Sequence, residues 1–258
     1  MAPALSKTRI EAELTTRFGD IFKLNEPRFA EVISTGVPEV DALTRGLPRG
    51  AITEIFGPAS SGRTSLMLSS LAYATTHDEV CALVDASDTL DPKTAAQAGV
   101  DFEQLLWIRC AASVEHAFKA TDLLLQGGGF GLVMLDLGDV PAQQARRIIS
   151  SWWYRFRRVV ENKPTGLVVI AQDSCVRSCA SLVLAMSRED DLWTSVSGSP
   201  APDSKLRNQR LKPGFKSSLP GNNLWVPHLL RGLQLQLNRQ KPIQLAGRET
   251  RFQAKASA

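Results

Sequence analysis

The 258-residue sequence contains no apolar run long enough to cross a bilayer. Its longest apolar stretches, Gly166 to Ala171 and Leu182 to Met186, are strand-sized and far short of the roughly 20 residues a membrane helix needs. Met1 to Ile10 lacks both an apolar core and a cleavage pattern, so no signal peptide is expected. The expectation is a soluble protein inside the cell with no membrane contact. Cysteine and histidine are scarce. Cys81, Cys110, Cys175 and Cys179 include no CxxC pair, and each lies in or beside an apolar stretch, where a free thiol packs as a small hydrophobe. A metal pair at Cys175 and Cys179 is the weaker reading of that spacing. His77, His116 and His228 are scattered, so neither a metal cluster nor a Ser/His/Asp constellation is expected.

What is present is ordinary globular composition, 43% hydrophobic and 22% charged, enough for one sizeable α/β domain with an appendage. The net charge of +4 is unevenly divided. Residues 203–258 carry 11 Lys and Arg against Asp203 and Glu249, which leaves residues 1–202 at −5. A basic tail behind an acidic body suits an acidic partner, nucleic acid being the commonest, or is a solvated tail.

Residues 8 to 23 place Ile10, Leu14 and Phe18 at helical spacing before Gly19, a short leading helix. Ala51 to Phe56 reads as a strand running into Gly57, and Thr64 to Ala74 as a helix. Val80 to Asp85 and Leu132 to Asp136 are apolar runs each ending in aspartate, as buried parallel strands do at a ligand crevice. Gly166 to Gln172 repeats the pattern with glutamine. One helix is predicted over Ala142 to Asn162, with Ala145, Ile148, Ile149, Trp152, Trp153, Phe156, Val159 and Val160 on one arc. Arg146, Arg147, Arg155, Arg157 and Arg158 lie on the other arc, either solvated or facing nucleic acid or an acidic protein. Alternation of strands and helices predicts an α/β fold with a mainly parallel sheet covered on both faces. Ser195 to Pro227, rich in Ser, Pro, Gly and Asn, reads as a long linker, and Leu229 to Leu237 as a final strand.

Chemistry concentrates in Gly57-Pro58-Ala59-Ser60-Ser61-Gly62-Arg63-Thr64, which has the spacing of the P-loop, G-x-x-x-x-G-K-[ST]. The glycines let backbone N–H groups converge on phosphate at a helix N-terminus. Thr64 would offer its hydroxyl to Mg²⁺. Arginine at position 63 keeps the charge of the usual lysine, but its planar fork does not replace a compact ammonium.

Together with Ser34-Thr35-Gly36, Asp41, Gly46-Leu47-Pro48-Arg49-Gly50, Thr53-Glu54-Ile55-Phe56 and Ser65, this stretch resembles the opening of the bacterial RecA recombinase core. Asp85-Ala86, Leu90-Asp91-Pro92 and Gly99-Val100-Asp101 continue the likeness in order. Leu132 to Asp136 resembles the Walker B strand, and Val169-Ile170-Ala171-Gln172 the strand ending in the nucleotide-sensing glutamine. The likeness covers roughly residues 30 to 190. It implies a RecA-like P-loop core at 29–194, a helical arm at 1–28, a basic linker at 195–228 and a C-terminal strand with a basic tail at 229–258. It also implies a nucleotide site formed by residues 57–65 with Asp91, Asp136 and Gln172, and Thr64 and Asp136 holding Mg²⁺ if nucleotide is bound.

The departures matter as much. Ser87 stands where the family's water-activating glutamate follows the Asp-Ala pair, and a hydroxyl is no base near neutral pH. Thr94 replaces the tyrosine that stacks on adenine, and both DNA loops are shortened or absent. No catalytic residue is therefore expected, and ATP and Mg²⁺ are expected to bind weakly. The pattern is similar to the ImuA family of RecA-like SOS mutagenesis accessory proteins, which implies a bacterial cytoplasmic, nucleoid-associated protein. Its implied partners are RecA or a RecA filament, error-prone polymerase components and DNA, with self-association as an alternative. Ile10 to Phe22 with Val32-Ile33 resembles the arm by which RecA protomers join. Arg239 and Lys241 match the basic pair that reaches a neighbour's nucleotide. Lys205, Arg207, Arg210, Lys212 and Lys216, interspersed with Phe215 and followed by Trp225, suit phosphate contact and base stacking. Two other classes stay open: a DNA-dependent ATPase of the RecA or RadA type, with Asp88 replacing the missing base, and a SulA-like division regulator.

Overall fold

The computed structural model describes residues 31–146, 150–161, 163–195, 228–242 and 247–255. The leading helix, the linker, Arg147, Ile148, Ile149, the five basic positions from Lys205 to Lys216, Phe215 and Trp225 lie outside the described residues.

Eight strands form one sheet in the order β10-β9-β8-β3-β7-β6-β4-β5. Here β3 is Ile52–Phe56, β4 Cys81–Asp85, β5 Leu105–Arg109, β6 Leu132–Leu137, β7 Gly166–Ala171, β8 Leu182–Ser195, β9 His228–Lys241 and β10 Glu249–Lys255. The strands from β3 to β8 run parallel, whereas β9 and β10 are antiparallel. The expected α/β architecture with a mainly parallel sheet is what the chain adopts.

The parallel strands read as continuous apolar runs because both faces are covered. Leu132 and Met134 of β6 pack on one side with Leu66, Met67 and Leu71 of helix α2, Arg63–Thr76. Val133 and Leu135 pack on the other with Phe118 of α4, Val114–Gly127, and Trp153 and Phe156 of α6, Ser150–Val160. The Phe118 ring lies 5.0 Å from Trp153 and 5.5 Å from Phe156, centroid to centroid, within the range at which aromatic pairs add to burial. The aromatic stripe is thus core.

The helix expected over Ala142 to Asn162 is present at Ala142–Arg146 (α5) and Ser150–Val160 (α6), and residues 147–149 between them lie outside the described residues. Other expectations need correction. The strand starting at Leu182 does not stop near Met186. It continues to Ser195 because β9 supplies an antiparallel partner along its whole length, and a solvated antiparallel strand needs no continuous apolar run. The strand read as final is followed by β10, which pairs Phe252 with Leu235 and Ala254 with Leu233. Its basic residues hid a half-buried alternation.

The Val32–Ile33 segment (β1) of the expected arm is tied to its own chain, and Ile10 to Phe22 lies outside the described residues. Strand β1 pairs antiparallel with Leu47–Pro48 (β2) of the same chain, with Ile33 buried. Helix α1, Pro38–Thr44, follows β1. Asp41 folds back to accept from the Ser34 hydroxyl at 2.5 Å and from the Thr35 amide at 2.9 Å.

Candidate functional site

Strand β3 lies between β7 and β8 and delivers Gly57 to the crevice at the carboxyl ends of the parallel strands, where α/β sheets bind ligands. Its buried Glu54 accepts from the Ser174 hydroxyl at 2.8 Å and from the amides of Cys175 and Val176 at 2.5 and 2.8 Å. That carboxylate fixes the turn after β7 against β3, a role sequence reasoning missed.

Two glycines set the loop's shape. A Cβ on Gly57 would stand 2.3 Å from the Met186 carbonyl oxygen. Gly62 has φ +85, in the left-handed region, and its Cβ would stand 2.2 Å from Leu235 Cδ1. Neither position tolerates a side chain without displacement. Between them, Pro58, Ala59 and Ser60 are exposed and Ser61 is buried.

Helix α2 starts at Arg63 with no side-chain cap on its first turn. Its leading amides are therefore available, at the end of the helix where the dipole favours an anion. Thr64 and Ser65 are exposed. Beside Ser65 opens a cavity of about 600 Å³ lined by Leu68, Ser69, Thr94, Gln97 and Phe252 among others, within the size range of nucleotide-type ligands.

The remaining positions expected to meet a nucleotide are placed as follows. Asp91 caps α3, Pro92–Gln97, accepting from the Lys93 and Thr94 amides and, at 2.6 Å, from the Thr94 hydroxyl. The Thr94 hydroxyl bond, foremost, lowers the pKa of this exposed carboxyl. Gln172 follows β7 directly and is half-buried. Asp136 of β6 stands in register with Asp85 of β4. Burial raises its pKa to about 6, further supported by Asp85 and Asp139 and opposed by the Gly138 amide and Arg63.

Arg63 takes an unexpected course. It is 8% exposed, and Nη1 donates to the Gly138 carbonyl oxygen at 3.2 Å. Burial lowers its pKa, against the pull of Asp136 and Asp139. The guanidinium is thus directed to the end of β6.

Ser87 occupies the position of the missing base. Its amide donates to Asp85, which also accepts from Thr89 and Leu90. Asp85 organises this turn. Asp88, the substitute base considered from sequence, is engaged with Arg109 Nη2 and the Ala111 amide, each at 3.4 Å.

The arginine face is also divided. Arg155 is paired twice with Asp122, at 2.7 and 2.5 Å, so it serves the α4–α6 contact. Arg157 and Arg158 are exposed, and Arg146 ends α5. Arg239 does not reach outward as expected. It is 2% exposed, with Nη1 on the Leu43 carbonyl oxygen at 2.8 Å and Nη2 on that of Gly247. Lys241, half-buried, pairs across β8 with Val183. All four cysteines are free and buried. Among the described residues no cluster of three metal-ligating side chains occurs, and no helix is long and apolar enough to cross a membrane.

Comparison with known proteins adds three findings. A family model described as the RecA N-terminal domain matches residues 4–148. Protein RecA of Ectopseudomonas oleovorans is 34% identical over 172 residues, 60% of this chain and 49% of that protein. The chain therefore matches about half the length of that relative. The crystal structure of the RadB recombinase superposes with a TM-score of 0.51 at 16% identity, covering 61% of this chain and 84% of the other, a likeness of fold.

Proposed function

The chain belongs to the RecA N-terminal domain family, and from that premise we propose that it is a RecA-like accessory protein of the bacterial DNA-damage response. In this reading it supports translesion synthesis through protein and DNA contacts, as the ImuA likeness implies, and not through ATP turnover. The family relationship supports a DNA repair or recombination setting, and is consistent with ATP as the ligand of the loop. One observation carries the proposal: the loop keeps its two constrained glycines and an uncapped helix start, yet the groups expected to drive hydrolysis are engaged elsewhere. Arg63 is held on Gly138. Ser87 stands where a carboxylate would be required, and Asp88 is engaged with Arg109.

General-base catalysis contributes roughly 10²- to 10⁴-fold, so its loss alone brings a modest ATPase near background. The test is ATP hydrolysis by the full chain with and without single-stranded DNA, compared with the Thr64→Ala, Asp136→Ala double variant. Equal, near-background rates are expected; DNA-stimulated turnover well above the double variant would favour the RecA- or RadA-type ATPase instead. The proposed partners are RecA or its filament and an error-prone polymerase. Pull-down of RecA by the full chain and by a form lacking residues 1–28 tests the arm. Loss of binding on truncation is expected, and equal binding, or none in either case, defeats docking through that arm.

A further inference from the structure

The anion cradle and its acidic wall do not fit a divalent metal. In a P-loop of ordinary sequence, the hydroxyl at position 64 and the carboxylate at position 136 would hold that ion. Here the Arg63 guanidinium comes close to that carboxylate from inside the chain. Its Nη1 lies 3.5 Å from the point where a Cβ on Gly138 would stand, and Asp136 Oδ1 lies 2.9 Å from that point. The two opposite charges thus flank one backbone position. Asp139 also acts on Arg63 electrostatically. A dication placed at Asp136 would stand against a buried, like-charged guanidinium, where low local polarity strengthens repulsion. The cation is already present, covalently.

The cradle itself remains fit for an anion on two independent grounds. The 14-residue helix α2 opens without a cap at Gly62. The Ser61 hydroxyl, 1% exposed, has no hydrogen-bond partner. It lies 2.7 Å from the point where a Cβ on Gly57 would stand. A buried hydroxyl without a partner is uncommon and points to an absent acceptor. The cavity beside Ser65 adds room for a nucleoside.

We propose that this loop binds a nucleoside phosphate without a divalent metal, Arg63 supplying the positive charge that Mg²⁺ brings to related sites. The inference rests on the nucleotide reading of the loop. It has a consequence for selectivity: with neither ammonium nor metal to grip a terminal phosphate, the diphosphate and triphosphate bind alike.

The test is fluorescence titration of the full wild-type chain with N-methylanthraniloyl-ADP and -ATP, in excess Mg²⁺ and in excess EDTA. Four dissociation constants within about twofold of one another are expected, a spread of less than about 0.5 kcal/mol. Arg63→Lys should restore the usual arrangement and make ATP binding weaker in EDTA by about tenfold or more. Wild-type binding that disappears in EDTA overturns metal independence while leaving the nucleotide reading intact. Binding in neither condition defeats both. A folded Arg63→Lys chain with no gain in metal dependence removes Arg63 as the cause.

Discussion

The guanidinium of Arg239 and the carbonyl oxygen of Leu43, 196 positions apart in sequence, meet at 2.8 Å in the interior of the protein. Leu43 lies in the last turn of α1, where carbonyls lack intrahelical partners and the helix dipole favours a cation. The same side chain also donates to Gly247, just before β10. Arg239 thereby ties α1 to the β9–β10 hairpin.

Arg239→Met keeps much of the volume but leaves these carbonyls without their donor. Since each unsatisfied buried group costs about 1–3 kcal/mol, we expect a stability loss of about 2–4 kcal/mol, read by urea unfolding. An unchanged midpoint together with lost self-association would restore Arg239 to a role between protomers.

Gly62 and Leu235 form a second long-range pair. Gly62→Ala meets the cost of a left-handed backbone, about 1–2 kcal/mol, and a collision with a fully buried leucine. Leu235→Ala removes the collision while opening a cavity worth about 2–5 kcal/mol. The double variant should be less destabilised than the sum of the singles by about 0.5–3 kcal/mol. Additive losses would show that β9 does not hold the loop.

Asp136 gives a pH dependence of definite sign. Its pKa in the folded chain is raised from 3.8 to about 6. Below the ordinary aspartate range the group is protonated in both states and contributes no difference. As pH rises through that range toward about 6, the unfolded chain ionises first, and stability falls. Asp136→Asn, which retains an acceptor for the Gly138 amide, should therefore stabilise the protein by about 1–3 kcal/mol near pH 7. The gain should vanish by about pH 4, as measured by thermal unfolding across pH. A gain that persists unchanged there would contradict the assignment to ionisation.

For DNA, the proposal places the binding surface on the exposed Arg157 and Arg158 and on the basic positions after residue 203. Replacing Lys205, Arg207, Arg210, Lys212 and Lys216 by glutamine should weaken single-strand binding. It should also reduce the salt slope by about 0.7 for each phosphate that is no longer neutralised. Fluorescence anisotropy across a salt series measures both, and an unchanged slope would refute the assignment. Arg155→Gln is expected to lower thermal stability more than DNA affinity, because its partner is Asp122.

Much of the core was readable in the sequence because its signals are local. A strand buried on both faces must be apolar throughout, so β4, β6 and β7 declared themselves, and so did the glycine pattern that lets the loop after β3 turn. The sequence by itself determined the parallel α/β core, the position of the glycine loop after β3 and the absence of a carboxylate at position 87. Only the tertiary structure decided where the charged side chains go. Arg63, Arg155 and Arg239 have long, flexible stems, and nothing in their neighbours along the chain predicts Gly138, Asp122 or Leu43 as partners. The same holds for β10 and Leu235, since an antiparallel edge with one wet face keeps charged residues in its pattern, and its register is set by strands far away in sequence.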